Sequence, residues 1–155
     1  MPRVPHLQTI TPARVDSIMR YEPGGTAYVS HGDTELRIGL YGGVEYSSQL
    51  IFENPLRGTQ PEDESVFAVR LHVYCLHTYG AAGSTVYIDT IPSSGLRAVV
   101  HLNSGVITTV PLLWNNRVDA AVKIEITTSN VSSAEYCKLD PDAWFEIRTL
   151  RERTP

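Results

Sequence analysis

The chain has 155 residues, a formal net charge of −4, 42% hydrophobic residues and only 19% charged residues. That length fits one domain with a single core. The only lysines, Lys123 and Lys138, make no basic run of the kind that grips a nucleic-acid backbone, and no signal-peptide core or membrane-length apolar run is present, so neither nucleic acid nor membrane is an expected partner and synthesis in the cytoplasm is expected.

Residues 1–12 carry Pro2, Pro5 and Pro12. Proline removes a ladder donor, so this segment reads as an extended arm or an edge segment. Pro2, Val4, Pro5, Leu7 and Ile10 are its candidate assembly contacts. From Arg14 to Tyr21, Val15, Ser17, Met19 and Tyr21 alternate as in a strand, while Val15, Ile18 and Met19 also fit a short helix. Pro23-Gly24-Gly25 forces a turn. Thr26–His31 and Thr34–Tyr41 read as strands, with Gly32-Asp33 between them. Gly42-Gly43 predicts a tight hairpin with a primed turn, and Val44–Phe52 runs back. Glu53–Glu64 is turn-rich, and Pro61 ahead of three acids fits one helical turn.

The segment Ser65–Thr78 is the clearest strand. Its odd positions, Phe67, Val69, Leu71, Val73 and Cys75, are apolar, and its even positions mix Arg70, His72 and Tyr74 with Ala68 and Leu76. Period two with one dry face is the mark of a half-buried strand. Ser84–Ile91 alternates next, followed by a turn at Pro92-Ser-Ser-Gly95. Leu96–Leu102 and Val106–Leu113 flank Asn103-Ser104-Gly105, which reads as a three-residue hairpin loop. Val118–Thr127 alternates, Ser129–Ser133 is loop, Ala134–Lys138 fits a short edge strand, and Ala143–Leu150 is the last strand. The sum is roughly nine to eleven strands, with turn signals spaced as in an all-β sandwich. The expected fold is therefore a two-sheet antiparallel β-sandwich of jelly-roll or immunoglobulin-like type. Its parts are an extended arm over 1–12, one domain over 13–150 and a polar tail over 151–155.

Chemistry-bearing constellations are sparse. Cys75 and His77 lie two apart on one strand, so period two puts them on one face. With His101 they form a weak candidate metal set, and the simpler reading is a buried thiol beside a hydrogen-bonded histidine near a strand end, with no metal assigned. Cys75 and Cys137 have no metal-type spacing and read as buried free thiols. Neither Gly-x-Ser-x-Gly nor His-Glu-x-x-His occurs, and the paired glycines sit between strands rather than before helices. No catalytic residue and no cofactor is assigned. Glu125 and Glu146 alternate with apolar neighbours and read as solvent-facing. Asp140-Pro-Asp142 is a turn composition before it is a calcium site. Tyr74, Tyr79, Tyr87 and Trp114 are candidate aromatics for a glycan platform or a protein interface.

Strand density from Val66 to Leu150, the Pro-rich start MPRVPHLQTITP and the Ser/Thr/Asn/Tyr-rich surface together resemble small viral and bacteriophage β-sandwich structural proteins, of jelly-roll coat or head-decoration type. The resemblance implies a non-catalytic particle component, located in the virion, that forms homo-oligomers or binds other particle proteins. A start that is not a basic arm shifts that expectation from a genome-packaging coat to an exterior, decorating or tail-associated part. Ala68–Thr127, with STVYIDTI, is similar to carbohydrate-binding sandwich modules, which implies a glycan or receptor-binding surface. A small cupin-like metal enzyme is the third reading.

Overall fold

A computed structural model describes residues 3–22, 25–31, 36–80, 84–91, 97–114, 116–128 and 135–152. Pro2, the turns expected at Pro23-Gly24, Gly32-Asp33 and Pro92–Gly95, the loop Ser129–Ser133 and the last three residues of the tail lie outside them. Twelve strands follow in chain order: β1 (Arg3–Ile10), β2 (Arg14–Arg20), β3 (Tyr28–His31), β4 (Leu36–Tyr41), β5 (Val44–Glu53), β6 (Glu64–Tyr79), β7 (Thr85–Ile91), β8 (Ala98–His101), β9 (Ile107–Pro111), β10 (Ala121–Thr127), β11 (Tyr136–Leu139) and β12 (Trp144–Glu152). Every pairing is antiparallel, and the described residues contain no α-helix. The all-β class read from the sequence is borne out.

The strands form one continuous open sheet in the order β1-β12-β6-β11-β4-β5-β10-β7-β8, with β2 and then β3 attached through β5, and β9 attached to β6. The proline-bearing start is a full edge strand: β1 pairs with β12 from Arg3↔Glu152 to Ile10↔Phe145. β2 settles as a strand rather than a helix because it has β3 on one ladder and β5 on another. Gly42 and Gly43, with φ of 58° and 78°, make the expected tight turn between β4 and β5. Pro61–Asp63 is a turn, closed by Asp63 N–H donating to the Gln60 carbonyl at 3.1 Å.

One expectation is overturned at Asn103–Gly105. The segment does turn, with Gly105 at φ 75°, but it does not join a hairpin. β8 pairs with β7 and β9 pairs with β6, so the turn carries the chain from one strand's edge to another. Backbone bonds fix the crossing: Leu102 N–H donates to Ser84 O at 2.7 Å, and Gly105 N–H to Cys75 O at 2.8 Å. Leu102 is buried, which anchors the crossing in the core.

The core is one apolar cluster. Val69, Leu71, Val73 and Cys75 of β6 join Phe145 and Ile147 of β12, Leu36 and Ile38 of β4, Leu50 and Phe52 of β5, and Val122, Ile124 and Ile126 of β10. Burying each such side chain contributes about 1.5–3 kcal/mol. The alternation along β6 is interrupted twice. Between Ala68↔Arg148 and Val66↔Thr149, Phe67 is an extra residue, and between His77↔Lys138 and Cys75↔Leu139, Leu76 is another. Each bulge shifts the phase of the strand by one. Phe67, which period two assigns to the dry face, is therefore turned outward and is 54% exposed.

Candidate functional site

The face of β9, β6, β12 and β1 opposite the core is where side chains with chemistry gather. Register and alternation place Thr109, His72, Arg70, Trp144, Glu146, Arg148 and Leu7 on it. At its centre Glu146 is only 8% exposed. Its Oε1 accepts from Arg148 Nε at 2.9 Å and from Arg70 Nη1 at 3.4 Å, and its Oε2 lies 3.2 Å from His72 Nε2. Burial raises the Glu146 carboxyl, but the bonds from Arg148 and His72 outweigh it and hold the group below its ordinary value. An ionised carboxylate only accepts, so His72 Nε2 carries the proton toward Glu146. His72 Nδ1 lies 2.8 Å from the Thr109 hydroxyl, which donates to it when the imidazole is neutral. Trp144 stacks on the imidazole at 4.6 Å and 12°.

Hydroxyl, imidazole and carboxylate in this order resemble a general-base relay. Here they span three adjacent strands on the face of a sheet, and the carboxylate is neutralised by two arginines. An open cleft of about 410 Å³ lies elsewhere, lined among the described residues by Ile91, Asp119, Ala121 and Lys123, on β7, β10 and the loop before β10. The relay's physical effect is to lock β9, β6 and β12 together. Sequence reasoning took Glu146 for a solvent-facing carboxylate. It does face away from the core, but its neighbours cover it. The signal was present: Glu146 and Arg148 are two apart on one strand, and Arg70 lies opposite Glu146.

The apolar surroundings of this network are open. Phe67 is 54%, Leu7 53% and Ile107 50% exposed. Of the candidate arm residues, Val4, Pro5 and Leu7 are exposed along β1, while Ile10 packs against the core.

The proposed metal set does not converge. Leu76 as an extra residue breaks the shared face: Cys75 is fully buried, whereas His77 is exposed and opposite Lys138. Their remaining link is a weak contact from the Cys75 thiol to the His77 carbonyl at 3.6 Å. His101 sits on β8, its Nδ1 3.3 Å from the Ser84 hydroxyl. Among the described residues no three His, Cys, Asp or Glu side chains are grouped to hold a metal ion. Both cysteines are free and buried, as read from the sequence. Burial raises both thiols, Cys137 to about 12. At Asp140-Pro-Asp142 the Asp140 carboxylate accepts from the Asp142 N–H at 2.8 Å, the local turn bond its composition suggested.

The candidate aromatics disperse. Trp114 is buried in the core cluster, Tyr87 lies under the Arg97 guanidinium at 4.7 Å, and Tyr74 is half-buried opposite Ile107. Only Tyr79 enters an aromatic row, stacked on Tyr136 at 4.4 Å, with Tyr136 edge-on to Tyr41 at 4.8 Å and Tyr41 edge-on to Tyr46 at 6.2 Å. Arg37 lies over Tyr41 at 4.3 Å and Lys138 over Tyr79 at 5.9 Å. Gly39 holds the row together: Tyr46 and Tyr136 are its partners on either side, and an added Cβ would sit 2.5 Å from the Glu135 carbonyl. An isolated glycine inside an apolar strand signals such a close approach.

No protein-family model matches the chain, and no curated protein matches it.

Proposed function

We propose that this chain is a non-catalytic assembly protein, of the kind that forms a capsid, head-decoration or tail-associated part of a virus or phage particle, and that it works through protein–protein contact. The observation that carries the reading is the outer face of β9-β6-β12-β1. It presents exposed Leu7, Phe67 and Ile107 around Trp144, Arg70 and Arg148, with the central carboxylate already hydrogen-bonded. Aromatic residues and arginine around a desolvated centre are what protein interfaces select. The ends of the strand order add to it: the eight-residue β1 on one side and the short β8, Ala-Val-Val-His with no Asp, Glu, Lys or Arg, on the other.

The two-layer sandwich belongs to the same proposal. β4 pairs with β5 only over Val44–Tyr46, beyond which β10 pairs with β5 from Ser48 to Glu53. Phe52 of β5 and Phe145 of β12 are not on neighbouring strands, yet their rings lie 5.5 Å apart. A sheet folded over on itself accounts for that contact and for the single shared core. β6, and the run from β11 to β12, then pass from one layer to the other at their irregular points.

Mass photometry and electron microscopy on the purified chain test the assembly reading. A defined species larger than one chain supports it, and a protein that stays monomeric at every concentration overturns it. The row of Tyr41, Tyr46, Tyr79 and Tyr136 with its two cations favours one second reading, a glycan or receptor-binding surface. A glycan array showing binding that Tyr79→Ala removes supports that reading, and an array without signal counts against it.

A further inference from the structure

We infer that copies of this chain associate head to tail, the outward Phe67 of one copy entering the cleft lined by Ile91, Asp119, Ala121 and Lys123 of the next. The inference rests on the assembly reading and gives it a geometry. Phe67 exists as a knob only because the bulge between Val66 and Ala68 expels it from the core phase. Such a bulge re-aims one side chain while leaving the flanking ladder intact. An exposed phenyl ring, on the same outer face as exposed Leu7 two strands away, is apolar surface that a partner would desolvate.

The cleft is a hole of matching kind. It opens by about 410 Å³ at the far end of the strand order, and Ile91 and Ala121 give it apolar walls. The charges also complement. Beside the knob, Arg70 and Arg148 face one carboxylate, Glu146, which leaves one net positive charge. The cleft face is acidic: Glu53 is opposite Ala121, Glu125 is opposite Asp89, and Asp119 lines the cleft, four carboxylates against Lys123 and Arg97. A two-fold axis would need the knob and the hole within one shared interface, and they lie four strands apart in the strand order, on β6 and on β10 with β7. They make a heterologous contact, which closes into a ring or continues as a chain or lattice.

Complementation tests this directly. Phe67→Glu removes the knob and keeps the cleft, and Ala121→Trp fills the cleft and keeps the knob. Circular dichroism and a melting curve establish that each variant is folded. Asp119→Arg, on an exposed turn, replaces Ala121→Trp if tryptophan disturbs β10. In sedimentation velocity each variant alone should run as a 17.2 kDa monomer. An equimolar mixture should yield a dimer of twice that mass and nothing larger, because only one productive contact remains. Phe67→Glu that assembles like the wild type, or variants that stay monomeric when mixed, overturns the head-to-tail contact while wild-type assembly still stands. A wild-type chain that is itself monomeric removes both readings at once.

Discussion

Glu64 shows how single residues carry stability here. It points inward at the end of the core, where its Oε1 accepts from the Thr149 hydroxyl and from Arg151 Nε, both at 2.7 Å. Thr149 is fully buried, so the pair would be costly to break. Burial raises the Glu64 carboxyl, but Thr149 and Arg151 together outweigh it and hold it below the ordinary value. A carboxyl depressed in the fold stabilises fully above its unfolded pKa, roughly 4.3, and that contribution is lost as pH falls through the lower folded value. Glu64→Gln should therefore lower the urea midpoint at neutral pH, with a gap from wild type that narrows as pH falls below the ordinary carboxylate range. A gap independent of pH would show that the charge contributes nothing. Glu64→Ala should cost about 1–3 kcal/mol, since it leaves the buried Thr149 hydroxyl without its acceptor. Gly39 makes a second test. At φ 117°, with a Cβ clashing against Glu135 and Tyr136, Gly39→Ala should destabilise by about 2 kcal/mol or more in a thermal melt. Cys75 and Cys137 make a third. Buried and with raised thiols, they should resist a thiol reagent until the chain unfolds, and rapid native labelling would contradict their placement.

At the scale of elements, β6 marks how far the sequence can be read. Its alternation predicted the strand and its dry face between Val69 and Cys75, and those residues are buried. It could not predict the two extra residues, Phe67 and Leu76, because a bulge is defined by the partner strand, and β12 and β11 lie far along the chain. Everything that depended on uninterrupted phase moved with them: Phe67 left the core and His77 left the face of Cys75. Gly42-Gly43 was legible for the opposite reason, since both strands of that hairpin are local. Asn103–Gly105 has the same local chemistry, but its flanking strands find remote partners, so a turn was legible and its topology was not. The site followed the same rule. Glu146, Arg148, Arg70 and His72 are brought together only by the β6–β12 register. β1 gives a prediction at this scale. It is held by its ladder to β12 and by little burial beyond Ile10. Removing residues 1–12 should leave the strand content seen by circular dichroism, lower the melting temperature and weaken association, because Leu7 leaves the outer face. Unchanged assembly would exclude β1 from the contact.

At the scale of the whole molecule, charged interactions are concentrated where strands must be tied together, and apolar surface is left where strands end or bulge. The Glu146 network and the Glu64 cluster both join β6 to β12, the pair that also brings the core residues of both strands into register. Outside them, Leu7, Phe67, Ile107 and Val99 stay exposed on a chain that carries few lysines to protect its edges. On the proposed assembly reading, contact with further copies of the chain covers this surface. Size-exclusion chromatography with light scattering across a concentration series is the most direct test. The account predicts a mass that rises above the 17.2 kDa of one chain as concentration increases, and falls back on Phe67→Glu. A constant 17.2 kDa at every concentration would contradict it.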